Sequence, residues 1–315
     1  MNYQRIFIKK HASIFFFIGL LIITLSCARS DSSSKKDVDD SLFIATGKNG
    51  TILTSSDGTN WTSQSSQTNE YLRACAYGNN IYVVVGHAGT ILTSSDGTNW
   101  TSRSSSTTKN LTNIKFKNNM FMVVGASGTI LTSSNGISWT SKSLDSTKTL
   151  WGIDYGNDIW VANGDNGTIF TSSNTENWDN RTSSSGTNVE FNEMIYGANK
   201  FLGLGASGTI ITSSNGTSWT SQTSGTSNGL TGGIYANNSF IVVGSSGTII
   251  TSSNGTSWTS LTSGISTNLR GVSYGNNIYV AVGLSGTIIS SLDGSSWTLR
   301  NSGTTEHFRR VYFKE

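Results

Sequence analysis

The residues with the strongest claim on chemistry recur along the chain. Asp57 stands in "TSSDGTNWT" (54–62), beside Gly58 and shortly before Trp61. A carboxylate in that setting could act as a general acid or as one oxygen ligand of a calcium ion. The stretch returns unchanged at 93–101 and in variant form five more times, so the chain tests itself. The position of Asp57 is Asp again at 96 and 293, but Asn at 135, 174, 215 and 254. Acid catalysis or a calcium set would not survive that loss of charge in four of seven copies. A hairpin turn would, because Asp and Asn both bond to nearby backbone and both tolerate left-handed conformations. The glycine that follows, as at Gly58 and Gly136, supplies positive φ. Asp57, Asp96, Asn135, Asn174, Asn215, Asn254 and Asp293 are therefore expected to hold turns. The tryptophans after them are expected to cover the turns and to pack between neighbouring units.

A second set is basic. One position near the start of an apolar run carries Arg73, Thr112, Trp151, Asn192, Thr231, Arg270 and Arg309 in the successive copies. Lys48 and His87 occupy equivalent Gly-x-x-Gly turns. Neighbouring guanidinium groups suit a carboxylate or an acidic protein segment, which they grip with paired hydrogen bonds. Ordinary variation at exposed loop positions is the alternative. Trp151, Asp165, Glu190 and Glu193 are expected across from the arginines, so that the rim is polarised. His87 has only His307 for company in this region. The pattern predicts no metal set and no cofactor.

The elements that must position these residues come from a repeat. "GTI" begins at Gly50, Gly89, Gly128, Gly167, Gly208, Gly247 and Gly286, and a tryptophan follows each, at 61, 100, 139, 178, 219, 258 and 297. A second segment precedes the later copies: "YLRACAYGNNIYVVVG" (71–86) aligns with "NLRGVSYGNNIYVAVG" (268–283). Each unit reads as four short strands joined by "GNN", Gly-x-x-Gly and Asp/Asn-Gly turns. Four strands in about 40 residues is the size of a propeller blade. The first copy lacks its opening strand, since "SLFIATG" (41–47) matches only the second strand. "HFRRVYF" (307–313) supplies the missing piece at the other end. The expected fold is all-β: a seven-bladed β-propeller of four-stranded blades over 41–315, closed by pairing 307–313 with the strands of 41–64. In such a ring the blades of Arg270, Arg309 and Arg73 are consecutive, and the first strand of each blade lines the central channel.

"SSDGTNW" and its copies resemble the Asp-box, or BNR, repeat of sialidase-type propellers. They are closer still to the seven-bladed propellers of the photosystem II stability/assembly factor type and their bacterial lipoprotein relatives. The resemblance covers 41–315. It implies that the box is structural and that the ring is a binding or assembly scaffold. A sialidase would also need a tyrosine–glutamate pair, an aspartate acid and an arginine-isoleucine-proline signature, and the chain has no proline. The recurring Tyr77, Tyr155, Tyr196, Tyr235 and Tyr274 share one repeat position and read as packing. A carbohydrate-active or glycan-binding propeller is the second reading.

The N-terminus indicates export. Arg5, Lys9 and Lys10 precede the apolar run "ASIFFFIGLLIITLS" (12–26), which ends at Cys27. This resembles a bacterial lipoprotein signal: 1–26 a signal peptide, Cys27 the acylated residue, and 27–40 a polar tether. An ordinary secretory signal or an uncleaved anchor is the alternative. The expected location is the bacterial envelope, at the outer membrane or cell surface, with the lipid anchor as the membrane contact. The net charge of +3 resides in those three N-terminal cations, so the rest is balanced and offers nucleic acid no global attraction. Cys75 lies in a strand pattern and has no partner if Cys27 is acylated, so no disulfide is expected, although an exported protein could form one. The sequence thus predicts a monomeric, non-catalytic, exported scaffold for an unidentified protein or acidic ligand.

Overall fold

In the computed structural model, residues 41–144, 147–182 and 186–314 are described. The expected signal segment, Cys27 and the tether lie outside them. Short apolar runs separated by turn residues form seven antiparallel sheets of four strands each. Blade 1 is typical, with strands Leu72–Gly78, Ile81–Gly86, Ile91–Ser94 and Thr101–Arg103. Blades 2 to 6 repeat it, beginning at the inner strands Leu111–Lys117, Leu150–Gly156, Phe191–Gly197, Leu230–Ala236 and Leu269–Gly275. The seventh is built from both ends of the ring. Its inner strand is Phe308–Lys314, followed by Leu42–Gly47, Ile52–Ser55 and Thr62–Gln64. Phe43 faces Phe313 and Ala45 faces Val311 across this seam. The sequence-based ring closure is thus the observed one.

Turn chemistry explains why the hairpins form where they do. Asn79 and Asn80 have φ of 47° and 61°, and every "GNN"-type turn repeats this double left-handed step. That is the two-residue turn whose twist matches the strands it joins. In the Gly-x-x-Gly turn of blade 1, Gly89 has φ of 71°, and a Cβ there would sit 1.9 Å from the Thr107 carbonyl oxygen. Only glycine allows the incoming loop to close so tightly.

The recurring aspartate does what the Asp/Asn exchange implies. Asp57 Oδ1 accepts from the backbone N–H groups of Thr59 and Asn60, both at 2.8 Å, and from the Ser55 hydroxyl. Asn135 Oδ1 accepts from the equivalent N–H groups of Ile137 and Ser138, both at 2.9 Å. One oxygen carries the motif, so either side chain serves. Burial pushes the Asp57 carboxyl up, but the Asn60 and Thr59 N–H groups prevail and hold it well below the usual carboxylate range. For Asp96 and Asp293 the N–H groups of Asn99 and Ser296 are the largest cause of the same lowering. A lowered native value contributes stability above the unfolded carboxyl pKa, and that contribution fades as pH falls toward the native one. The four asparagine copies carry no such dependence.

Cohesion between blades is apolar. Seven buried clusters alternate with the seven blades. Phe43, Leu53, Val280, Val282, Phe308 and Phe313, for example, join blade 6 to the seam blade, with Trp61 packed against them. The recurring tyrosines pack as expected, Tyr77 against Tyr82 and Tyr196 against Phe201. Cys75 is free and buried, and burial pushes its thiol far up, out of the reactive range.

Blade 3 is the least regular. Its outer strand is only Asp179–Asn180, and its turn places Thr175 at φ 66°, where the other six turns have glycine. Thr175 N–H still donates to Ser172 Oγ at 2.9 Å, as glycine does elsewhere, so the turn keeps its geometry and bears the strain. Thr175→Gly should raise stability by up to about 1 kcal/mol, read as a shift in denaturation midpoint at unchanged slope.

Candidate functional site

Each inner strand carries a register shift near its start, for instance between Leu72 and Ala74, Leu269 and Gly271, and Thr46 and Gly47 opposite Phe308 and Arg310. The skipped residue is the position compared across the repeats: Arg73, Thr112, Trp151, Asn192, Thr231, Arg270 and Arg309. A bulge leaves one residue out of the ladder and re-aims its side chain. Where that residue is small and polar, it bonds the next blade. Thr112 Oγ1 donates to Leu150 O at 2.5 Å, Asn192 Nδ2 to Leu230 O at 3.0 Å and Thr231 Oγ1 to Leu269 O at 2.7 Å. The three arginines make no such bond.

Instead they converge. Arg73, Arg270 and Arg309 line one cavity of about 340 Å³ with Lys48, Trp151, Glu190, Asn192, Tyr71, Leu284 and His307. These residues enter from inner-strand starts and from turns between second and third strands, which lie on the same face of the ring. The Asp/Asn turns lie on the other face, because successive strands alternate in direction. The arginines are not an exposed rim: Arg73 and Arg309 are only 9% and 5% exposed. Burial pushes the Arg73 guanidinium down to about 10, with Arg310 and Arg270 adding repulsion that the Tyr71 hydroxyl opposes. Arg309 is pushed down by burial and then by Arg310, Arg73 and Arg270.

The expected opposite side is rearranged. Trp151 is not a separate patch, since the Arg73 guanidinium lies 5.1 Å from its ring centroid and 5.0 Å from that of Tyr71. Asp165 serves Trp151, accepting from Nε1 at 2.6 Å and from Thr149 N–H at 2.9 Å. Glu190 alone supplies a carboxylate to the cavity wall. Glu193 is no rim residue: it is buried, and its Oε2 pairs with Arg310 Nη2 at 2.5 Å. His87 sits in an adjoining cavity of about 410 Å³, which shares Lys48, Tyr71 and His307 with the first. Burial, followed by repulsion from Arg73, lowers the His87 pKa below the ordinary imidazole value.

The network around Arg310 was not anticipated. Arg310 Nη1 donates to Arg270 O at 2.7 Å and Thr231 O at 3.1 Å. Glu193 Oε1 accepts from Asn113 Nδ2 at 3.0 Å, and that amide also reaches Trp151 O. The network spans the channel from the seam blade to blades 4 and 2, one residue further along the inner strands than the arginine arc. A signal was present one place further along the repeat: Ala74, Asn113, Gly152, Glu193, Gly232, Gly271 and Arg310. Small residues at four copies leave room for the long side chains of the others. At Gly232 a Cβ would meet Arg270 O at 2.6 Å.

No family model matches the chain, and no curated protein does. Solved structures share the fold. A structure described as YCF48 bound to D1 peptide superposes with a TM-score of 0.61 at 15% identity, over 76% of this chain and 85% of that one. YCF48 from Cyanidioschyzon merolae gives 0.57 at 16%, over 75% and 86%. The WD40 β-propeller domain of Doa1 gives 0.59 at 14%, over 88% and 90%.

Removing one partner of a buried ion pair leaves the other charge uncompensated. Arg310→Ala should therefore cost about 3–5 kcal/mol, measured by chemical denaturation.

Proposed function

We propose that this protein is a non-catalytic scaffold that binds a protein partner through the arginine-lined mouth of its channel. The observation that carries the reading is the convergence of Arg73, Arg270 and Arg309 on one cavity, none with a carboxylate or carbonyl partner among the described residues. Guanidinium forks in that state suit a carboxylate or an acidic segment. A similarly folded protein described as bound to a peptide supports a polypeptide partner. The cavity wall offers one carboxylate, Glu190, where glycosidase chemistry uses two. A glycan-binding reading is weaker for a further reason: Arg73 already covers a face of Trp151, the surface on which a sugar would stack.

The same reading makes the protein an exported lipoprotein, tethered through acylated Cys27 to the bacterial envelope at the outer membrane or cell surface, and acting as a monomer. The apolar run before Cys27 and the polar stretch after it support this. Cys27→Ala should release the protein from the membrane fraction and abolish incorporation of labelled acyl chains. Retention of both would overturn the lipid anchor.

Affinity capture with the full chain identifies the partner. Replacing Arg73, Arg270 and Arg309 together with glutamine should weaken that binding at least about tenfold at low salt, or about 1.4 kcal/mol. The difference should narrow as salt screens the wild-type contact. A triple variant that folds and binds its partner like wild type at low salt would exclude the arc as the docking surface.

A further inference from the structure

Four arginines meet at the inner ring, and the chain neutralises one of them. Arg310 has a carboxylate at 2.5 Å and backbone carbonyls around its remaining N–H groups. Its neighbours Arg73, Arg270 and Arg309 have neither among the described residues. The Nε groups of Arg73 and Arg309 are buried without an acceptor. Both side chains are more than nine-tenths buried and line the cavity.

Such groups have few ways out. A guanidinium does not shed its proton in a protein, and Arg73, even at about 10, stays charged at neutral pH. Tyr71 and Trp151 flank Arg73 and attract the cation through their ring faces, but they accept no N–H in the plane of the fork. Glu190 is exposed and stands alone against three arginines and Lys48 in the cavity wall. Like charges held together out of water destabilise the fold that assembles them, unless an anion joins them.

We propose that this cavity holds an oxyanion of the carboxylate or phosphate class, gripped by Arg73, Arg270 and Arg309, and that its binding contributes directly to the stability of the ring. The proposal rests on the mouth being an anion-recognising surface and adds that occupancy and folding are linked. The same grip serves a free oxyanion or one presented on a partner. Forks of paired N–H donors favour oxygen pairs over chloride. Arg310, one residue further along the inner strand, is already compensated by Glu193 and so stands apart from the three arginines that line the cavity.

The test is thermal melting of the full chain at constant ionic strength, exchanging chloride for phosphate in one series and for acetate in another. At least one should raise Tm saturably, by roughly 5 °C at a hundredfold excess over Kd. The more effective anion names the class. Arg270→Gln, at the least buried of the three, should lose most of the rise. The variant with all three arginines replaced by glutamine should melt above wild type in chloride and should not respond. General salting effects would raise all three proteins alike, and that result, or no saturable rise in wild type, would overturn the proposal. If the triple variant does not fold, Arg270→Gln alone decides the comparison. No partner is present in these melts, so they can succeed while capture of a partner fails, and the reverse.

Discussion

The ring depends on one pairing: Phe308–Lys314 against Leu42–Gly47, two strands from opposite ends of the domain. Every other blade is local in sequence and could form as a hairpin assembly by itself. Only this pairing converts a row of blades into a circle, in which each apolar sheet face has a neighbour on both sides. Without it, Phe43, Phe308 and Phe313 would lose the face that blade 6 covers, and an inner edge would stand open. The closing strand also brings Arg309 and Arg310 into the ring, so the element that completes the circle supplies one arginine of the candidate cavity and the centre of the network beside it.

The candidate site and the Asp/Asn turns occupy opposite faces. The Asp/Asn turns spend their oxygen atoms on their own backbone and pack onto the preceding blade, as where Asn276 Nδ2 reaches Ser56 O at 2.8 Å. The channel mouth is assembled from inner-strand bulges and second-to-third-strand turns, whose backbone is equivalent in the seven copies while the side chains differ. Variation there leaves the ladders untouched. That separation lets a near-repetitive sequence carry one asymmetric site.

The fold was legible because the repeat supplies its own alignment. Seven copies of one turn showed that Asp57 and Asn135 are interchangeable, and the split copy showed how the ring closes. The placement of Arg73, Arg270 and Arg309 at equivalent positions in consecutive blades was legible for the same reason, but whether their side chains point into one cavity was not. What the sequence did not show depends on reach across the ring. Glu193 and Arg310 share one repeat position in blade 4 and the seam blade, but a shared position does not show that the two side chains reach across the channel to each other. The aromatic packing of Arg73 against Trp151 joins blades 1 and 3, past Thr112. Burial of Arg73 and Arg309 was equally hidden, because a rim and a recessed cup have the same sequence pattern.

The bulge position has a mechanical meaning as well as a chemical one. Threonine or asparagine there fastens blade 2 to blade 3, blade 4 to blade 5 and blade 5 to blade 6. Arginine at the three consecutive positions in blade 6, the seam blade and blade 1 omits that fastening. On that side Arg310 makes the crossing instead, its Nη1 joining the seam blade to blade 6 at Arg270 O and to blade 5 at Thr231 O. The inner ring is thus stitched by short side chains, junction by junction, on one side and by a single long side chain on the other.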